Sequence, residues 1–225
     1  EKGEIPEELS EEWRLVDPES MEGKTFQEYC SKLAQELYNP APPANKRTAT
    51  ILAHHNFDQE PVKFLLSKDT EPNAWFVKTS NPPIFIFTTG LFTKRRFRLQ
   101  DDTPVLESVI TSPNEFKMLI GHEMTHAKLE NRFKDHPNSK PEESLADLFP
   151  LKLLADNGQN PESALWLHKK LNQTGKLLKS NNELWREILD EHPALRTRYS
   201  MIENGLTALR KERGDLSHLE TSKPF

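Results

Sequence analysis

The stretch that decides how this chain is read is IGHEMTHAKLE, residues 120–130. It sets His122 and His126 four residues apart, with Glu123 directly after the first histidine. Met118, Leu119 and Ile120 form an apolar lead-in, and Ser112-Pro113-Asn114-Glu115 stands upstream. Serine before proline is a helix-start signal. The hydroxyl can cap, proline fits the first helical position, and Glu115 suits the positive end of the helix dipole. A helix is therefore expected over 113–132. On that helix, residues four apart share one face, so both imidazoles can converge on one ion. Glu123 projects from nearly the same side as His122 and can reach a metal-bound water without binding the metal. This is the H-E-x-x-H arrangement of zinc peptidases. Three fixed positions in five also occur by chance, and the plain alternative is a histidine pair on an ordinary amphipathic helix.

A catalytic zinc takes three protein ligands and leaves a fourth place for water. The third ligand must come from another element, and EESLADLFPLKLLADNG, residues 142–158, is the candidate. A helix is expected over 142–157, ended by Gly158. Glu143 and Asp147 are four apart on it, while Leu148, Leu151, Leu154 and Ala155 mark a broad apolar side. Glu143 can bind the metal. Asp147 can accept the outer N–H of a ligating histidine, which fixes its tautomer and raises its basicity. Two acids near a helix start are, alone, more simply solvated. After the histidine pair, the ligand reading of Glu143 is the stronger one, and one zinc ion per chain is expected on His122, His126 and Glu143.

Outward from these helices, the order is a short sheet followed by helices, an α+β arrangement. Upstream, a helix is expected over 25–38, where Phe26, Tyr29, Cys30, Leu33 and Leu37 fall near helical spacing. Short strands are expected over 48–54, 62–67, 75–78 and 84–88, set off by proline and asparagine turns. Downstream, Pro161 opens a helix reaching at least 171, and further helical segments fall at 184–189 and 193–213. Residues 1–24 read as an acidic arm or lead-in and 25–225 as one domain. The link 94–111 begins with the basic run KRRFR, which Asp101 and Asp102 partly offset. A solvated loop is its first reading and a lid over the cleft its second. His54 and His55 are adjacent, so in a strand they face opposite ways and chelate poorly. His136 precedes a proline in a turn.

Taken together, GHEMTH and ESLADLFPLKLLADNGQNPESAL resemble the M48 family of zinc metallopeptidases, the gluzincins that include HtpX and the CAAX prenyl proteases. That family's pattern is HExxH, a glutamate ligand within ExxAD, a leucine-rich helix, a glycine turn and a proline-started helix. NAWF at 73–76, TTGLF at 88–92 and HPALRTR at 192–198 resemble further family segments. The likeness runs over roughly 73–210. It departs from the family at Ala194, where a second proline is usual, and in the long 94–111 link. It implies a zincin-like domain with a small, mainly antiparallel sheet, an active-site helix and a helical C-terminal part. It also implies endopeptidase activity on protein or peptide substrates, with Glu123 as general base. His192 would stabilise the oxyanion, and Arg198 would stand nearby on the same helix. Such enzymes hold substrates extended along a sheet edge, here within 73–88. The competing expectation is a latent or inactive metallopeptidase fold that binds proteins in a chaperone-like, quality-control role.

Composition narrows the classes. A net charge of −5 and a pI near 6.0 argue against a nucleic-acid partner. No apolar run reaches the length of a membrane span. One cysteine, Cys30, excludes a disulfide-built fold. The chain begins at Glu1 rather than Met, so a trimmed N-terminus is expected. A removed leader or anchor would place the protein in the periplasm or at a membrane, and otherwise it would be cytoplasmic. Substrate identity and oligomeric state leave no trace in the sequence.

Overall fold

A computed structural model describes residues 13–38, 62–77, 82–98, 104–129, 140–178 and 195–212. Their element order is α1 (Met21–Tyr38), β1 (Lys63–Ser67), β2 (Ala74–Val77), β3 (Ile84–Thr88), β4 (Arg95–Arg98), β5 (Pro104–Glu107), α2 (Pro113–Leu129), α3 (Lys140–Asp156), α4 (Ser163–Leu178) and α5 (Leu195–Glu212). This is a mixed α/β architecture with five helices and two small sheets among the described residues. The segments expected at 48–54 and 184–189 lie outside them, as do His54, His55, His136 and His192.

The three-stranded sheet has the order β1-β3-β2. β3 is antiparallel to β2 and parallel to β1, so this sheet is mixed rather than mainly antiparallel. The central strand IFIFT is buried along its whole length because both of its faces are covered. Phe85 and Phe87 enter the main core with Phe64, while Ile84 and Ile86 join Leu15 and Leu65 on the other face. The outer edge of β1 is closed by an isolated antiparallel bridge from Leu15 to Ser67, with Val16 N–H donating to the Leu66 carbonyl at 2.8 Å. β2 is the opposite edge strand and packs against α2.

The 94–111 link corrects the loop reading. β4 and β5 pair as an antiparallel hairpin, Arg95 opposite Glu107 and Phe97 opposite Val105. Phe97 is buried in the main core, and the arginine at 96 points to solvent opposite exposed Leu106. The basic run is thus an alternating strand anchored by one aromatic ring.

The helices follow from local chemistry. α1 begins earlier than expected because Ser20 caps it, its hydroxyl accepting from Gly23 N–H at 3.1 Å. Cys30, Leu33, Ala34 and Leu37 form its buried stripe. Burial pushes the Cys30 thiol pKa up, so that thiol stays protonated and unreactive. α2 starts at the Ser112-Pro113 signal with a capping box: Glu115 N–H donates to Ser112 Oγ at 3.2 Å, and Ser112 N–H to Glu115 Oε2 at 3.0 Å. α3 ends in a Schellman motif at Gly158, whose φ of 69° favours glycine. Gly158 N–H donates to the Ala155 carbonyl at 3.0 Å and Gln159 N–H to that of Leu154 at 2.9 Å.

One contact sets the spacing of the two helices that matter most. A Cβ at Gly121 would lie 2.5 Å from Pro150 Cβ and 2.9 Å from Leu37 Cδ2. Glycine on α2 therefore lets the mid-helix proline of α3 come close, immediately beside His122. A comparable approach brings α5 onto α3, where a Cβ at Gly205 would meet Leu148 Cδ2 at 2.8 Å.

Candidate metal centre

α2 presents His122 and His126 one turn apart, and α3 presents Glu143 from its first turn. Their donor atoms converge. The two Nε2 atoms are 3.1 Å apart, Glu143 Oε1 is 3.3 Å from His126 Nε2, and Glu143 Oε2 is 3.6 Å from His122 Nε2. All three side chains are buried, and together they could hold a metal ion.

The outer nitrogens of the histidines also face carboxylates. His122 Nδ1 lies 3.0 Å from Asp147 Oδ1, with the N–H turned off the straight hydrogen-bond line. His126 Nδ1 donates to Glu142 Oε1 at 2.8 Å. A proton held on each Nδ1 leaves each Nε2 as a lone pair. Two imidazole lone pairs and a carboxylate then point at one another in a buried space. That arrangement calls for a positive charge, which a metal ion could supply and which, without one, a proton taken up by His126 supplies. The His126 pKa reflects that proton. Burial pulls the imidazole down, but Glu143, Glu123 and Glu142 outweigh burial and raise its pKa to about 9.

Asp147 is held from two further elements. Arg198 on α5 donates from Nε to Oδ2 at 2.7 Å and from Nη2 to Oδ1 at 2.6 Å, a bidentate clamp. Its Nη1 is 3.8 Å from Glu143 Oε2. Burial works against the Asp147 anion, but Arg198 overcomes it and keeps the carboxyl well below the usual range. Two of the Arg198 donors are thus spent on Asp147, while its third faces the candidate ligand Glu143. Arg198 falls in line with buried Ile202, Leu206 and Leu209, so the clamp rides on the apolar stripe that docks α5.

His168 on α4 is the second group on Asp147, its Nε2 3.6 Å from Oδ1. It is buried, and burial lowers its pKa to about 4 against the pull of Asp147, so it is neutral near pH 7. Glu123 is buried beside the histidines and makes no hydrogen bond or ion pair with another described residue.

The structure thus brings His122, Glu123, His126, Glu143, Asp147 and Arg198 into one cluster. Two members are absent from the sequence reading. Glu142 had a usable signal, because His126 needs an acceptor at Nδ1 by the same rule that selects Asp147 for His122. His168 had none, since WLHKKL reads as an ordinary amphipathic helix. No protein-family model matches the chain, and no curated protein or solved structure matches it.

Proposed function

We propose that this chain is a zinc-dependent endopeptidase with the zincin-like fold and gluzincin ligand set that its motifs resemble. The observation that carries this reading is the convergence of three electron-rich donors in a buried site with Glu123 alongside. Tetrahedral zinc with ligands at about 2.0–2.1 Å would space its donors about 3.4 Å apart. The separations of 3.1, 3.3 and 3.6 Å suit that ion. Two imidazoles and one carboxylate are also a donor set of catalytic zinc, with a place left for water.

His122, His126 and Glu143 would hold the metal, and Asp147 orients His122 under the grip of Arg198. Once bound, the metal would supply a water of lowered pKa and a Lewis acid for the scissile carbonyl. Glu123, beside the two histidines, is placed to act as the general base and then as the acid toward the departing amine. His192 supplies the oxyanion partner on the strength of the motif alone. Among the described residues β2 is an edge strand of its sheet beside α2, a place where main-chain hydrogen bonds could align an extended peptide with little regard to side chains.

The test pairs metal content with cleavage of an unstructured protein such as casein. Wild-type protein and Glu123→Gln should each bind one zinc ion, and the variant should cleave about 10²–10⁴-fold more slowly. Unchanged cleavage in the variant removes Glu123 as the base. Stoichiometric zinc without any wild-type cleavage supports a latent, protein-binding fold instead.

A further inference from the structure

His126 is bracketed by consecutive residues of α3. Glu142 Oε1 accepts from its Nδ1 at 2.8 Å, and Glu143 Oε1 stands 3.3 Å from its Nε2. Neighbouring residues on a helix diverge by about 100°, so one turn can reach both sides of the ring. Asp147, one turn further, serves the outer nitrogen of His122 at 3.0 Å. One short segment of α3 therefore carries a candidate ligand and an outer partner for each histidine.

A place in the first turn of a helix does not account for Glu142. A glutamate there gains from the helix dipole while fully solvated. Glu142 is instead 2% exposed, and burying a carboxylate is unfavourable unless its partners are well placed. Glu142 is withdrawn from water onto the ring nitrogen that does not face the metal site.

Resting on the zinc reading above, we propose that Glu142 is a positioning residue for the metal. It holds the proton on His126 Nδ1, turns the ring so that Nε2 faces the ion, and raises the donor strength of that nitrogen. His122 and His126 are then each tuned by a separate carboxylate. Asp147 is further gripped by Arg198, whereas Glu142 lies beside the ligand Glu143 and moves with it.

The test measures zinc dissociation by chelator competition in wild type, Glu142→Ala and Glu142→Gln, alongside the visible spectrum of the Co²⁺-loaded proteins. Glu142→Ala should weaken zinc binding by roughly 10–100-fold and alter the Co²⁺ bands. Glu142→Gln keeps an acceptor oxygen and should restore most of the affinity and the wild-type band shape. Melting of the metal-free proteins should be similar in the two variants. Zinc affinity in Glu142→Ala within twofold of wild type overturns the proposal, as does a glutamine variant no better than alanine. The zinc reading fails separately. Wild-type protein that takes up no zinc, or a His122→Ala/His126→Ala double variant that retains it, defeats that reading before Glu142 is considered.

Discussion

Two buried polar clusters sit on the same helix, about 10 Å apart along α2, and they are built on opposite principles. At the start of the helix, Glu115 is fully supplied with donors. Its Oε2 accepts from Thr111 N–H at 2.6 Å, Thr111 Oγ1 at 2.7 Å and Ser112 N–H at 3.0 Å, and its Oε1 pairs with Lys170 Nζ at 2.8 Å. Lys170 is itself completely buried and reaches Thr111 Oγ1 at 3.1 Å. Two turns later, His122, His126 and Glu143 turn three candidate metal ligands toward one another. The first cluster balances its own charge and needs nothing further. The second lacks such donors and could hold a metal ion. Burial of polar groups alone therefore does not mark a candidate metal site, whereas the donor–acceptor balance does.

The strongest way to break this comparison is Lys170→Met. It leaves Glu115 buried without its ion-pair partner, which should cost about 3–5 kcal/mol of stability. Chemical denaturation would measure that loss. Zinc bound per folded molecule should stay at the wild-type value. Loss of zinc in protein still folded would mean that the two clusters are not independent.

A smaller effect should come from pH. In metal-free protein, the His168 pKa falls to about 4 from an ordinary 6.5. Between those values the unfolded chain takes up a proton that the folded protein refuses. Stability should thus drop by about 3 kcal/mol as pH falls from 6.5 to 4. His168→Gln should flatten that acid limb in a series of thermal melts. His126 acts oppositely in another window. Raised to about 9, its contribution is fully present below 6.5 and is lost as pH rises through 9. A variant with an unchanged acid limb would rule out His168 as its source.

The finest distinction is within the metal cluster. Asp147→Asn keeps the shape but weakens the hold on both His122 and Arg198. Zinc affinity should fall by roughly 10–100-fold, again read by chelator competition. Unchanged affinity would make the Asp147–Arg198 pair a structural clamp like Lys170–Glu115.

The parts of this centre legible in sequence are those governed by helical period and by caps. His122 and His126 share a face because they are four apart, and Ser112-Pro113 and Gly158 mark helix ends through local hydrogen bonds. What stayed hidden depends on packing between elements. Arg198 meets Asp147 across 51 residues, and no periodicity links them. His168 reaches the same carboxylate from α4. The β4–β5 hairpin escaped notice because its strands are four residues long and one is nearly all arginine, so only Phe97 betrays a buried face. The parallel pairing of β1 with β3 is equally silent, since strand alternation says nothing of direction.

The Gly121–Pro150 contact has a consequence for anyone who would transplant this centre. Grafting HEMTH onto a foreign helix would carry two histidines and a glutamate but not the distance to their partners. That distance is set by the side chain missing at 121 and the proline ring at 150 that occupies the space. With even a methyl group at 121, Pro150 would have to retreat, and Glu142, Glu143 and Asp147 ride on the same helix. The portable unit is accordingly a crossed pair of helices with a glycine–proline seam.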